Sequence, residues 1–356
     1  AGNTKVIAYN NPGTVCNGTI YQTGDILTLN PNDTNNINIY AMWIPTTFDQ
    51  AYLAASKTKD ATSGYYTMQD MSATICNAVS ENQITTLTDT RINGSYASRA
   101  NYTIVKLPDG ANGRCWMADN IALDLTNSTT LNSISITNTH VDTASLTSLK
   151  SGNRSANARY ATAGIASSWT TTDSYTQAMI KKSGINCDAS INTNNPCNPN
   201  GGTGYSYNSV ALQSSGYGIS ANKLGIFYNY CAASAGNYCY DSNQTTTNNA
   251  DYDICPANWR LPTGGLSSEP YELFMAIPSA TITDPLSIHY RLSAPLSGLY
   301  RTGSAWWQGV MGQFLTSTRS TNSRIYMFQF GSGGGVGAQS DATRNGGRPV
   351  RCIAQN

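Results

Sequence analysis

The chain is poor in charge. Of its 356 residues only 12% are Asp, Glu, Lys or Arg, and 21 basic residues nearly balance 20 acidic ones. Electrostatic nucleic-acid binding needs clustered Lys and Arg, so this balance argues against it. No apolar run reaches the roughly 18 residues of a membrane-spanning helix, so no span is expected. Histidine is scarce, with only His140 and His289, far apart. The cysteines never fall in CxxC spacing, which removes zinc-finger arrangements. Neither histidine sits in a nucleophile motif, and His289 reads as a strand position rather than a catalytic base. The glycine-rich run 332–337 lacks the lysine and the strand-to-helix setting of a phosphate loop, which argues against nucleotide binding. No cofactor, metal site or enzymatic activity is therefore expected.

What is present is uncharged hydrogen-bonding surface. Tyrosine is abundant at 22 residues, against 6 Phe and 6 Trp, and Asn, Thr, Ser and Gly dominate the polar positions. Such a composition suits short strands joined by turns. There are nine cysteines, at 16, 76, 115, 187, 197, 231, 239, 255 and 352. Without metal spacing they read as disulfides, which places the chain in an oxidising compartment, outside the cell or on its surface. The opening Ala1-Gly2-Asn3 has the look of a chain whose leader has been cleaved.

Residues 1–47 read as a small β module. Thr19–Tyr21 and Asp25–Leu29 flank a turn at Gln22-Thr23-Gly24, and Ile37–Trp43 alternates like a half-buried strand. Residues 48–85 read as a linker with short helices, one near Phe48–Lys57. A second begins at Thr67, with Thr67 and Asp70 as a capping box and Met68, Met71, Ile75 and Val79 on a core face. The main domain spans 86–356. Asn93-Gly94 signals one hairpin, and Tyr102–Leu107 with Cys115–Met117 another. Residues 126–225 form an Asn/Ser/Thr-rich insertion with a helix near Ser174–Lys182. Leu224–Tyr230 and Arg324–Phe330 read as strands.

The stretch Cys255-Pro256-Ala257-Asn258-Trp259-Arg260-Leu261-Pro262-Thr263 organises the rest. Two prolines stiffen it. Trp259 belongs in a core if its N–H finds an acceptor, and Arg260 beside it needs a carboxylate. Ser268, Pro270 and the apolar Leu273, Phe274 and Ile277 predict a short helix after it. On that helix Glu269 and Glu272, three apart, read as a solvated face.

Together these residues resemble a known family. CPxxWRLPT followed by a helix resembles the Fibrobacter succinogenes major paralogous domain, found on bacterial surfaces and similar to the C-type-lectin-like and formylglycine-generating-enzyme superfamily. Gly113–Ile121, with Trp116 and Asp119, resembles its "WMAENL" block. Gly312–Thr318 stands where the family has "GYYWSST", with Leu315 in place of Trp. Arg348–Cys352 resembles its closing "SVRC". The likeness covers roughly 86–354. At the N-terminus, "GDILTL" and "IYAMW" resemble the last half of the Listeria–Bacteroides surface repeat, a β-grasp-like module. The fold so implied is α+β: a C-type-lectin-like, disulfide-stapled domain behind a small, partial β-grasp-like module.

Connectivity does not follow from sequence, but block adjacency and short loops favour Cys76–Cys115, Cys187–Cys197, Cys231–Cys239 and Cys255–Cys352. Cys16 is left over, either a buried thiol or a link between chains. Trp116, Asp119, Trp259 and Arg260 form the structural signature, with Asp119 and Arg260 expected as an ion pair. Trp306 and Trp307 are the candidate interface aromatics, since such rings stack on sugars or bury in protein contacts. The expected role is structural or adhesive, and its sharper form is the repeating subunit of a pilus-like extracellular filament. The expected partners are other copies of the chain, glycans, or a host or partner cell. A carbohydrate-binding module is the second reading, and an enzyme related to the formylglycine-generating enzymes the least favoured.

Overall fold

The structure, a computed structural model, describes residues 4–9, 20–21, 38–43, 46–91, 101–109, 113–123, 125, 128–150, 227–236, 247–276, 292, 298–301, 304–306, 311–321, 324–331, 336–344 and 346–355. The hairpin signal at Asn93-Gly94, the strand Asp25–Leu29, the helix near Ser174–Lys182 and His289 lie outside them.

Helices and antiparallel sheets mix in an α+β arrangement. At the N-terminus β1 (Thr4–Tyr9) lies between β2 (Ile20–Tyr21) and β3 (Asn38–Trp43), antiparallel to both. The central strand of this sheet, β1, was not anticipated from sequence.

Helix α1 (Phe48–Ala54) starts at Thr47, which makes a reciprocal capping box with Gln50. The expected second helix is broken. Met68–Asp70 is a single 3-10 turn, and α2 (Ala73–Ala78) starts afresh at Ser72, whose hydroxyl accepts the Ile75 N–H. The break has a local cause: Thr67 Oγ1 donates to Asp70 Oδ2 at 2.8 Å rather than capping a backbone N–H. The core face is nonetheless as expected, because Met68, Met71, Ile75 and Val79 are all buried. Segment 48–85, expected as a linker, feeds the same apolar core as the rest: Phe48, Tyr52 and Met68 cluster with Trp259, Leu261 and Cys352.

Five antiparallel strands make the central sheet, in the order β4 (Ile84–Thr88), β5 (Asn101–Leu107), β6 (Arg114–Met117), β14 (Ile353–Ala354) and β8 (Trp259–Arg260). The last strand of the chain thus inserts between the Cys115 block and the Trp259 block. Four more strands form a second sheet, in the order β13 (Val336–Thr343), β12 (Arg324–Gly331), β11 (Met311–Arg319) and β7 (Asn248–Asn249). Its inner face stacks Phe314 on Phe328 and Phe330, at 4.8 and 5.4 Å between ring centroids, and Phe328 meets Trp116 edge-on at 6.1 Å. A short β9–β10 ribbon (Leu299–Arg301, Ser304–Trp306) completes the strands. Helices α3 (Ser128–Ser133) and α4 (Thr143–Lys150) lie further along the chain. The expected strand 224–230 instead turns helical at its end. Tyr228 makes one β-bridge to Arg348, and α5 (Tyr230–Ala233) begins at the Asn229 cap. Helix α6 (Glu269–Ala276) follows the WRLPT stretch as expected.

Candidate functional site

The signature block builds its own surroundings. Asn258 takes a left-handed conformation, φ 68°, which Asn tolerates better than most side chains, and Trp259 N–H closes the turn on the Pro256 carbonyl at 2.9 Å. That turn drives the Trp259 ring into the core, where it is fully buried and Nε1 donates to the Met68 carbonyl at 2.8 Å. Asp253 holds the approach. Its carboxylate accepts the N–H groups of Cys255 and Leu261, at 2.9 and 2.8 Å, and faces His140 Nδ1 at 3.1 Å. Burial disfavours the charged imidazolium, but the hydrogen bond and charge of Asp253 outweigh it and raise the His140 pKa. On the other side Arg91, itself fully buried, grips Asp89 and donates to the Ile254 carbonyl at 2.6 Å. Beyond the stretch, Gly264 lies where a Cβ would come within 2.5 Å of Tyr326 Cβ, so the chain docks closely on the second sheet.

Arg260 does not pair with Asp119. It binds Glu269 on α6, while Asp119 Oδ2 accepts the Thr103 N–H at 2.6 Å. The reason is direction. Arg260 follows Trp259, whose inward ring turns the guanidinium toward the start of α6. Asp119 belongs to the opposite end of the β5–β6 hairpin. Glu269 also receives the Thr263 N–H, 2.7 Å, and its hydroxyl, 2.5 Å. Burial works to raise its pKa, and the Arg260 charge with these donors brings it below the usual range. The expected solvated face of Glu269 and Glu272 is likewise corrected. Glu269 is 6% exposed, and Glu272 pairs with Arg114 at 2.6 Å. Arg114 in turn approaches Asp109 at 3.4 Å, and Asp109 Oδ2 accepts Trp116 Nε1–H at 2.8 Å. Burial pushes the Asp109 carboxyl up to about 7, against the pull of Trp116 and Arg114. The seam through Trp116, Asp109, Arg114 and Glu272 was missed because Asp109 sits in a Pro-Asp-Gly run that reads as a turn and nothing more.

Two expected disulfides form: Cys76–Cys115 and Cys255–Cys352, with Cα atoms 5.9 and 6.0 Å apart. Cys231 is disulfide-bonded, and its expected partner Cys239 lies outside the described residues. So do Cys16, Cys187, Cys197 and Trp307. Trp306 ends β10, paired in register with Leu299.

A cavity of about 620 Å³ lies on the face of the β11–β13 sheet opposite the phenylalanine stack. Met311, Gln313, Met327, Gln329, Ser340 and Arg348 are among its walls. Gln313 and Gln329 are cross-strand neighbours, and Gln313 Nε2 donates to Gln329 Oε1 at 3.2 Å. Gln313 Oε1 has no hydrogen-bond partner among the described residues, although the residue is 2% exposed. At the rim Arg324 pairs with Asp341. Amides beside thioethers can hold a neutral polar ligand with an apolar face. Among the described residues no group of three or more His, Cys, Asp or Glu is placed to hold a metal ion. No helix among them is long and apolar enough to cross a membrane. No family model matches the chain, and no curated protein or solved structure matches it.

Proposed function

We propose that the chain is a structural or adhesive module of a secreted or surface-displayed bacterial protein. The observation that carries this reading is the inward use of the signature. Trp116, Trp259, two disulfides and the Arg260–Glu269 pair lock distant segments together. A frame held that way tolerates change in the long segments that hang from it, which suits a surface exposed to varied partners. Its disulfides fit an oxidising, extracellular setting. Within this reading residues 1–47 form a subunit contact in a filament. The strands described within them make a three-stranded sheet with β2 and β3 outermost, and strand addition between copies propagates without closing. Electron microscopy and light scattering of the full chain, beside a variant lacking residues 1–47, test it. Filaments lost on deletion support the reading, and a full chain that stays monomeric at high concentration overturns it.

A second reading, a carbohydrate-binding module, is favoured by the β11–β13 cavity. Its amide pair both donates and accepts, as sugar hydroxyls do, and Gln313 Oε1 lacks a donor among the described residues. A ligand on the sheet face meets side chains, whereas a peptide strand would seek the backbone of an edge. A glycan array on the wild-type chain and on Gln313→Ala separates the cases. Binding to neutral glycans that the substitution abolishes supports it, and no binding to any glycan sinks it.

A further inference from the structure

The two described disulfides differ in their buried polar neighbours, and only Cys76–Cys115 has an ammonium group against its sulfur. Lys106 is 1% exposed and stands on β5 directly opposite Cys115 on β6. Its Nζ donates to the carbonyl oxygens of Cys76 and Gly113, at 2.9 and 3.2 Å, and lies 3.7 Å from Cys76 Sγ. Burial pulls the ammonium toward its neutral form, and the charges of Asp109 and Glu81 resist that. At the other disulfide no described cation bonds a cysteine directly: Asp253, 1% exposed, accepts the Cys255 N–H, and Arg91 donates to the Ile254 carbonyl at 2.6 Å. A cation beside a sulfur stabilises the thiolate and so makes it a better leaving group, while an anion does the reverse.

We propose that Cys76–Cys115 is a thiol-exchange site, in which a small thiol attacks Cys115 and Cys76 leaves as a thiolate held by Lys106. The attacking thiolate forms a new S–S bond to Cys115 Sγ as the Cys76–Cys115 bond breaks, and the bonding pair departs on Cys76 Sγ. The product is a mixed disulfide on Cys115 and a free Cys76 thiolate. A second thiol displaces the first, releases a small-molecule disulfide and leaves Cys115 reduced. The two thiols supply both electrons. Both protein sulfurs are buried, so attack requires the six-residue α2, which carries Cys76, to open locally. Lys106 belongs to the hairpin that carries Cys115, so it stays beside the disulfide when α2 frays. The consequence is a surface protein with one durable staple and one that takes up small thiols.

The test uses the full chain under native conditions with excess reduced glutathione, quenched by alkylation and mapped by peptide mass spectrometry. Cys76–Cys115 opens about tenfold or more faster than Cys255–Cys352, and the first adduct carries glutathione on Cys115 with Cys76 alkylated. Lys106→Met slows opening of Cys76–Cys115 by about tenfold and leaves Cys255–Cys352 unchanged. If that variant does not fold, the order of opening and the position of the adduct in the wild-type chain decide alone. Equal rates, earlier opening of Cys255–Cys352, glutathione on Cys76, or an unchanged or faster rate in a folded Lys106→Met variant each overturn the proposal.

Discussion

The five-stranded and four-stranded sheets are built on different principles. The five-stranded sheet gathers strands from both ends of the domain, so two of its four pairings, β6 with β14 and β14 with β8, join segments far apart in sequence. The C-terminal β14 lies between β6 and β8. Such pairings close long loops, whose entropy cost falls on the unfolded chain unless something ties them. This sheet carries the ties: both described disulfides, the buried Trp116 and Trp259, and Arg351, fully buried, whose guanidinium donates to Asn120 and to the Met117 and Leu292 carbonyls. The four-stranded sheet is mostly a meander, β11 to β12 to β13, held by its own ladder and by the phenylalanine stack on one face. Its other face carries the cavity beside Leu315, Ile325 and Met327, which are buried in the main apolar core. Long-range pairing needs staples, while local pairing is held by its own ladder and here leaves room for a cavity beside the core.

If that division is right, damage to the staples costs most. Replacing Cys255 and Cys352 together by Ala removes a cross-link between residues 97 apart, which the chain-entropy model values at about 4–5 kcal/mol. Trp259→Ala leaves a cavity in the core and frees the Met68 carbonyl, with a cost of about 3–5 kcal/mol. Denaturant melts of both variants check this, and a loss under about 1 kcal/mol in either would break the comparison. Next comes the ion pair beside them. Glu269→Ala strands Arg260 and removes two acceptor bonds from Thr263, and is expected to cost about 3 kcal/mol, slightly discounted because Arg260 keeps 29% side-chain exposure. Asp119→Asn, at the position first expected to pair with Arg260, leaves the Arg260–Glu269 pair intact. A double-mutant cycle of Arg260 with each acid measures the difference.

Sequence reasoning reached the parts that local rules control. Proline-stiffened Cys255–Thr263, the Tyr102–Met117 hairpin, the β12 strand and the α6 helix are where periodicity and turn chemistry place them. The pairings of Cys76 with Cys115 and Cys255 with Cys352 follow from blocks that had to meet. What escaped was direction. Arg260 plainly needed a carboxylate, but which one depends on how the Trp259 turn aims it, and that is tertiary. Lys106 and Asp109 look like ordinary strand and turn residues, and both are buried. Asp253 looked unremarkable two residues before a cysteine, yet its carboxylate holds the approach to the whole stretch. Side chains that serve as hydrogen-bond hubs leave no periodic trace.

Effects of comparable size come from pH, and they sharpen the contrast because both titrating groups belong to the stapled region. Asp109 has a folded pKa of about 7, against about 3.9 for an unfolded aspartate. The folded state therefore holds its proton more tightly, and stability falls as pH rises from about 4 to about 7, by an amount on the order of 4 kcal/mol at full ionisation. His140 has the same sign. Its raised folded pKa gives stability that is fully present below the unfolded value and lost as pH climbs through the folded one. Both groups make the domain firmer in mild acid. Asp109→Asn keeps an acceptor for Trp116 Nε1 and is expected to raise the melting temperature at pH 8 and to flatten its dependence between pH 4 and 7. A variant with the wild-type slope would show that the carboxyl of Asp109 is not the group responsible.

The smallest effect belongs to the four-stranded sheet. Arg324 and Asp341 form the rim pair of the cavity, with side chains 44% and 38% exposed. Pairs in such surroundings are screened by solvent and lose side-chain entropy on forming, so Arg324→Ala is expected to change stability by only about 0.5 kcal/mol or less. The substitution also removes the Arg324 Nη2 bond to the Asp341 carbonyl, but Asp341 still accepts from Ser320 at 2.8 Å and the pairing of Arg324 with Thr343 belongs to the backbone, so the β12–β13 ladder stays. The same substitution strips one of the two guanidinium groups that line the cavity, leaving Arg348, Gln313, Gln329 and Ser340 in place. A neutral ligand in the cavity should then bind within about twofold of the wild-type affinity, whereas an anionic one should weaken about tenfold or more, since each 1.4 kcal/mol of lost charge-assisted bonding is a factor of ten. Melts and ligand titrations on the one variant read both halves of the comparison. A stability loss as large as that of Glu269→Ala would mean that the rim is as much a staple as the seam around Trp116, and that its ladder alone does not hold the four-stranded sheet.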